Sequence, residues 1–165
     1  NDQRRPGAAL ADLAAEASLV ARLRASFRPG SEAKRRKPAM IEPDAPYHAH
    51  IYFLPEQREA AVELRSQFEA QSNVLFVGRM TEGKAGPHPI PQFEVHFLKA
   101  SLEDVQGVIR ASGLRALVHP LTDDDLADHT SLGEWIGGDP LELDLTTLDP
   151  PGMNKGVPRF GKTDF

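Results

Sequence analysis

Residues 47–54, Tyr-His-Ala-His-Ile-Tyr-Phe-Leu, alternate between two sets of side chains and are rich in aromatic and β-branched types, the pattern of a strand. Pro55 suits the first turn of a helix, and Ala61, Leu64 and Phe68 then form a stripe at helical spacing. A short second strand is predicted over residues 74–78, followed by a loop rich in Gly and Pro from Arg79 to Pro91. Residues 92–98 alternate again as a third strand. Ser101 and Asp104 have the spacing of a capping box for a second helix, with Leu102, Val105 and Ile109 facing inward and Gly113 placed to end it. Residues 115–119 read as a fourth strand.

Strand–helix–strand–strand–helix–strand with short connections is the order of a ferredoxin-like α+β domain, an antiparallel sheet with both helices on one face. Upstream, Leu10, Leu13, Ala17, Val20 and Phe27 predict an amphipathic helix over 8–27, stopped by Pro29-Gly30. Downstream, Thr122 and Asp125 are expected to cap a short acidic turn of helix. Leu141, Leu143 and Leu145 alternate with Glu142 and Asp144, which predicts an extra edge strand. From Asp149 the Pro- and Gly-rich chain reads as irregular or wrapped along the surface. The expected organisation is an N-terminal helix and basic linker over 1–46, a ferredoxin-like domain over 47–148, and an irregular C-terminal segment over 149–165.

Composition narrows the chemistry. The chain has 165 residues, 24 acidic against 19 basic, and no cysteine. One domain with a real core is expected at this length. The mildly acidic balance offers no broad field for nucleic acid, and the basic run around Arg28 and Lys34-Arg35-Arg36-Lys37 reads as a solvated linker. Without thiolates, any metal must be held by His, carboxylate or water. No apolar run approaches the ~20 residues of a membrane span, and the N-terminus shows no apolar signal core. A cytoplasmic protein with no membrane partner is the expectation.

The six histidines, His48, His50, His88, His96, His119 and His129, are the candidate chemistry. Strand periodicity puts Ala49, Ile51 and Phe53 on one face and His48, His50 and Tyr52 on the other. In the third strand Phe93, Val95 and Phe97 oppose Glu94 and His96. Apolar residues belong under the helices, so the polar set is expected on the open side of the sheet. In a ferredoxin-like sheet the first strand lies between the third and fourth, which brings His119 near His48 and on the same face. His48 and His50 lie on the order of 6–7 Å apart along the strand, so two imidazoles can converge on one ion at metal–nitrogen bonds of roughly 2 Å.

Blander roles weigh against some of these residues. His96 fits a hydrogen-bonded structural role as well as a ligand role. Glu94 fits a ligand, an acceptor for an imidazole N–H or a surface residue. An open polar face is also a common dimer interface, and a homodimer is expected. His88 sits in Gly86-Pro87-His88-Pro89, where two prolines lower the cost of presenting the imidazole. His129 follows an acidic cluster that suits acid–base work.

Tyr47-His48-Ala49-His50-Ile51-Tyr52-Phe53, Gly86-Pro87-His88-Pro89, Val118-His119-Pro120, Asp128-His129-Thr130 and Trp135-Ile136-Gly137, in this order, resemble the DOPA 4,5-dioxygenases of fungal type and their bacterial relatives. The resemblance runs from about Tyr47 to Leu145. It implies an extradiol dioxygenase that opens the ring of DOPA or a related catechol with O₂ and non-haem Fe(II), although another divalent metal such as Zn can occupy such a site. On this reading His48, His50 and His119 are the leading metal ligands, with His88 or Glu94 as alternatives. His88 and His129 transfer protons or hold substrate, and Tyr52, Glu94 and His96 are expected to bind it. Arg79, Lys84 and Arg115 are candidate partners for a substrate carboxylate. Two rival readings stand: a metal-independent ferredoxin-like monooxygenase or isomerase, and a non-catalytic module that binds a metal or an aromatic acid.

Overall fold

The computed structural model describes residues 42–164, so the helix expected over 8–27 and the basic linker after it lie outside the described residues. Strand β1 (Pro46–Tyr52) leads through a 3-10 turn (Pro55–Gln57) into helix α1 (Arg58–Glu69). Then follow β2 (Val74–Val77), β3 (Gln92–Leu98), α2 (Leu102–Ser112), β4 (Arg115–Pro120), a short α3 (Asp125–His129) and β5 (Glu134–Ile136). The sheet order is β2-β3-β1-β4-β5, antiparallel throughout. The ferredoxin-like order is therefore present, with β1 between β3 and β4.

One sheet face carries the apolar core. Ala49, Ile51 and Phe53, with Phe93, Val95 and Phe97, and Ala116 and Val118, meet Ala61, Leu64 and Phe68 of α1 and Val105 and Ile109 of α2. Each of these larger side chains contributes roughly 1.5–3 kcal/mol on removal from water. The stripes read from the sequence are the stripes that pack.

Three local expectations need correction. The edge strand is Glu134–Ile136 rather than residues 141–145. Trp135 and Ile136 offer β4 an aromatic and β-branched partner surface, with Leu117 opposite Trp135. Asp144 instead gives its N–H to the Pro87 carbonyl (2.9 Å), and its side chain caps a 3-10 turn at Leu145–Thr147. Ser101 makes no side-chain cap, because α2 begins from a 3-10 turn over Lys99–Ser101. The cap of α3 is Asp124, which accepts from the Ala127 N–H at 3.0 Å, and not Thr122.

The strand β5 ends at Gly137, whose φ of +75° and close approach to Leu114 admit only glycine: a Cβ there would lie 2.4 Å from the Leu114 carbonyl oxygen. No helix among the described residues is long and apolar enough to cross a membrane.

The second face of the sheet, expected to be open, is covered. His48, His50, Glu94, His96, Leu117 and His119 are all at most 5% exposed. The cover comes from the chain itself: the loop carrying His88, helix α3 with His129, and the C-terminal segment, which brings Phe160 against His48 and His96.

Candidate functional site

The site is built by strand register. His48 of β1 stands opposite His96 of β3 on one side and His119 of β4 on the other. One cross-strand row thus reads His96, His48, His119. The next row places His50 between Glu94 and Leu117. Alternation aims all of these side chains to the same face, and the neighbouring rings lie close: His48 and His96 at 4.4 Å between centroids, His48 and His119 at 5.3 Å, His50 and His119 at 5.3 Å.

Nitrogen atoms of His48, His50 and His119 come within 4.8 Å of one another, as do those of His50, His88 and His129, and a nitrogen or oxygen from each of His48, Glu94 and His96. Hydrogen bonds distinguish among these groups. His119 Nδ1 lies 2.6 Å from the Pro120 carbonyl, so it carries the proton and Nε2 presents its lone pair to the interior. Among the described residues, His119 Nε2 and both ring nitrogens of His50 are buried without a hydrogen bond. Buried polar atoms are normally satisfied, and a divalent cation is the partner that such nitrogens fit. His96 differs: its Nδ1 accepts the Gly161 N–H at 2.9 Å. A neutral His96 therefore bears its proton on Nε2, the atom 3.4 Å from Glu94 Oε1.

Burial, and then the neighbouring imidazoles, hold His48, His50 and His119 well below the ordinary histidine value. His88 is brought to about 3, chiefly by burial. All four are neutral at physiological pH, the form that ligates a metal.

His88 and His129 approach from outside the sheet. The Ala85–His88 turn exchanges both backbone hydrogen bonds, at 3.1 and 3.0 Å, and Gly86 takes φ of +54° within it. His88 Nδ1 lies 2.8 Å from the Tyr52 hydroxyl, and its ring 4.0 Å from that of His50. His129 sits on α3 with its ring 4.4 Å from His119. Its Nδ1 faces Asp125, 3.0 Å from the carbonyl and 3.2 Å from the carboxylate. Burial raises the Asp125 carboxyl, but hydrogen bonds from His129 and the Asp149 N–H outweigh it and leave the group below its usual value. Asp128, the member of the acidic cluster next to His129 in sequence, turns away to Thr122 and Asn154.

These groups surround a cavity of about 380 Å³ lined by His48, His50, His88, Glu94, His119 and His129, within the size range of small-ligand sites. Of the three residues expected to bind substrate, only Glu94 lines it. Tyr52 is 1% exposed, stacked on Trp135 and bonded behind His88, and His96 lies wholly beneath Phe160. Of the candidate carboxylate partners, Arg79 lines the cavity, whereas Lys84 is bonded to Asp144 and Arg115 lies against Gly138.

The sequence reading missed the C-terminal contribution. Asn154, Lys155, Gly156, Arg159 and Asp164 all line the cavity. Asn154 anchors the segment through the Thr122 carbonyl at 2.9 Å. This stretch has no hydrophobic periodicity; its only signal is three cations, Lys155, Arg159 and Lys162, spaced among Gly and Pro.

Fold and site together define a ferredoxin-like α+β protein with a buried, multi-histidine pocket on the sheet face away from α1 and α2. Residues 47–147 match the Dopa 4,5-dioxygenase family, and the chain belongs to that family. It is 29% identical over 128 residues to the DOPA 4,5-dioxygenase of Amanita muscaria, covering 67% of this chain and 56% of the relative. It is 32% identical over 115 residues to an uncharacterized 21.2 kDa protein of Botryotinia fuckeliana, covering 62% of each. The chain therefore spans only about three-fifths of the length of these curated relatives. The crystal structure of a candidate dioxygenase from Nostoc punctiforme is similar at a TM-score of 0.58 and 33% identity, covering 62% of this chain and 90% of that one.

Proposed function

We propose that this protein is an extradiol ring-cleaving dioxygenase acting on DOPA or a related catechol, with Fe(II) held by His48, His50 and His119. The observation that carries the reading is the cross-strand histidine cluster, in which His50 and His119 keep buried nitrogens without hydrogen bonds beside a cavity large enough for a catechol. Family membership supports the same reaction. Neutral imidazoles suit Fe(II) and leave positions for other ligands. Bound there, the ion supplies the Lewis acidity and one-electron chemistry that ring cleavage by O₂ requires.

The remaining groups have separable tasks. His129 carries its Nδ1 proton toward Asp125, so its other nitrogen is free to take a proton from a catechol hydroxyl, and the carboxylate stabilises the resulting imidazolium. His88 is kept neutral by burial and is tied to the Tyr52 hydroxyl, which fixes the ring beside His50 and offers a hydrogen bond to bound substrate. Glu94 lies 3.9 Å from His50 Nδ1 and acts on that ring's orientation rather than on the substrate. The burial of the whole set excludes bulk water from the reacting ring.

A second ligand set, His50, His88 and His129, is geometrically available. We favour the sheet-borne set because strands fix its members more rigidly than a loop and a five-residue helix can. Oxygen uptake by iron(II)-loaded protein with a catechol panel tests the function, and a yellow ring-opened product is the expected result. A folded, iron-loaded protein that consumes no oxygen with any catechol would sink this reading in favour of a binding module.

A further inference from the structure

The charged groups around the cavity can be paired off. Arg79 meets Asp164 at 3.4 Å, Lys155 meets Asp149 at 2.7 Å, and His129 meets Asp125. Glu94 lies between His50 and His96. Arg159 remains: it lines the cavity, is exposed, and makes no direct ion pair among the described residues, acting on Asp149 only as a more distant charge.

Its position relative to the histidines is fixed by its neighbours. Phe160 stacks 5.5 Å from His96 and 6.1 Å from His48, and the Gly161 N–H is bonded to His96. Arg159 ends the 3-10 turn Val157–Arg159 immediately before this contact, one residue step of ~3.8 Å from a residue seated on the histidine row. The segment that holds it follows the stretch matched by the family, which ends at residue 147.

We propose that Arg159 is the specificity-determining residue of the pocket, a cationic anchor that selects catechols bearing an anionic side chain, above all a carboxylate. The planar guanidinium presents two parallel N–H donors that match a carboxylate, and it keeps its charge at every working pH. A ligand with its ring at the histidines and its carboxylate toward Arg159 would span the cavity between inner row and rim. This inference rests on the catechol-binding reading above and adds the side-chain charge of the ligand to it.

The test is anaerobic calorimetric titration of the iron(II)-loaded full chain with two probes, 3,4-dihydroxyphenylpropionate and the uncharged 4-ethylcatechol. Arg159→Gln should weaken the carboxylated probe about tenfold or more and change the neutral one less than about twofold. Arg159→Lys should recover part of the loss. Arg159 is exposed and structurally unpaired, so circular dichroism should show an unchanged fold. Equal binding of the carboxylated probe by wild type and Arg159→Gln overturns the anchor while leaving catechol binding intact. If neither probe binds the wild type, the catechol reading fails and the anchor with it.

Discussion

The backbone N–H of Gly161 donates to Nδ1 of His96 across 65 residues of chain, at 2.9 Å. This bond makes His96 an organiser of the cover, although it shares a row with two candidate ligands. The ring is held with Nε2–H toward Glu94, while Phe160 lies on its face. His96→Ala should therefore loosen the C-terminal segment and cost about 1–3 kcal/mol of stability. Bound iron should stay near the wild-type level. Denaturant unfolding and metal analysis check the two halves, and a variant that folds normally but arrives metal-free would make His96 a ligand.

His119 has the opposite profile. Its proton is committed to the Pro120 carbonyl, and its other nitrogen is buried among imidazoles. His119→Ala should abolish retention of one equivalent of iron through gel filtration, whereas His88→Ala should retain it. The reverse pattern would transfer the site to His50, His88 and His129.

Tyr52→Phe isolates a single hydroxyl. Burial pushes that phenol far above its ordinary value, so it stays protonated and serves as a hydrogen-bond partner of His88 rather than as an acid. Removing it should leave iron content unchanged and lower kcat about tenfold or more, through a misplaced His88. An unchanged kcat would remove the Tyr52–His88 contact from the mechanism.

Acid should destabilise the metal-free protein. The folded pKa values of His48, His50, His88 and His119 all lie below 6.5, the ordinary value. The unfolded chain then binds protons that the native chain refuses. Stability is full above about pH 6.5 and falls below it by up to about 1.4 kcal/mol per pH unit for each such histidine. For His88 the loss continues to about pH 3. Denaturant midpoints at pH 8, 6.5 and 5.5 give the slope, and a flat profile would contradict the burial of these rings as neutral bases.

Much of this arrangement was legible in the sequence because period-two alternation carries it. His48, His50, Glu94 and His96 share a face for the same reason that Ala49, Ile51, Val95 and Phe97 share the other, and the ferredoxin-like strand order then brings His119 alongside. Residues positioned by tertiary contacts left no such trace. The alternating leucines at 141–145 suggest a strand, yet β4 is paired by Glu134, Trp135 and Ile136, a three-residue segment too short to show periodicity. Arg159 and Phe160 reach the site through a 3-10 turn and the buried anchor Asn154, and neither device has a sequence period to detect.

Order of synthesis gives the covering segment a temporal meaning. His48, His50 and His119 are all joined to the chain before Phe160 and Gly161 exist to lie over His48 and His96. At roughly 5–20 residues per second, the 42 positions from Pro120 to Gly161 take on the order of seconds. During that interval the C-terminal cover does not yet exist. The growing chain thus carries its histidine row without the C-terminal cover, and Phe160 lies over that row only once synthesis has passed it.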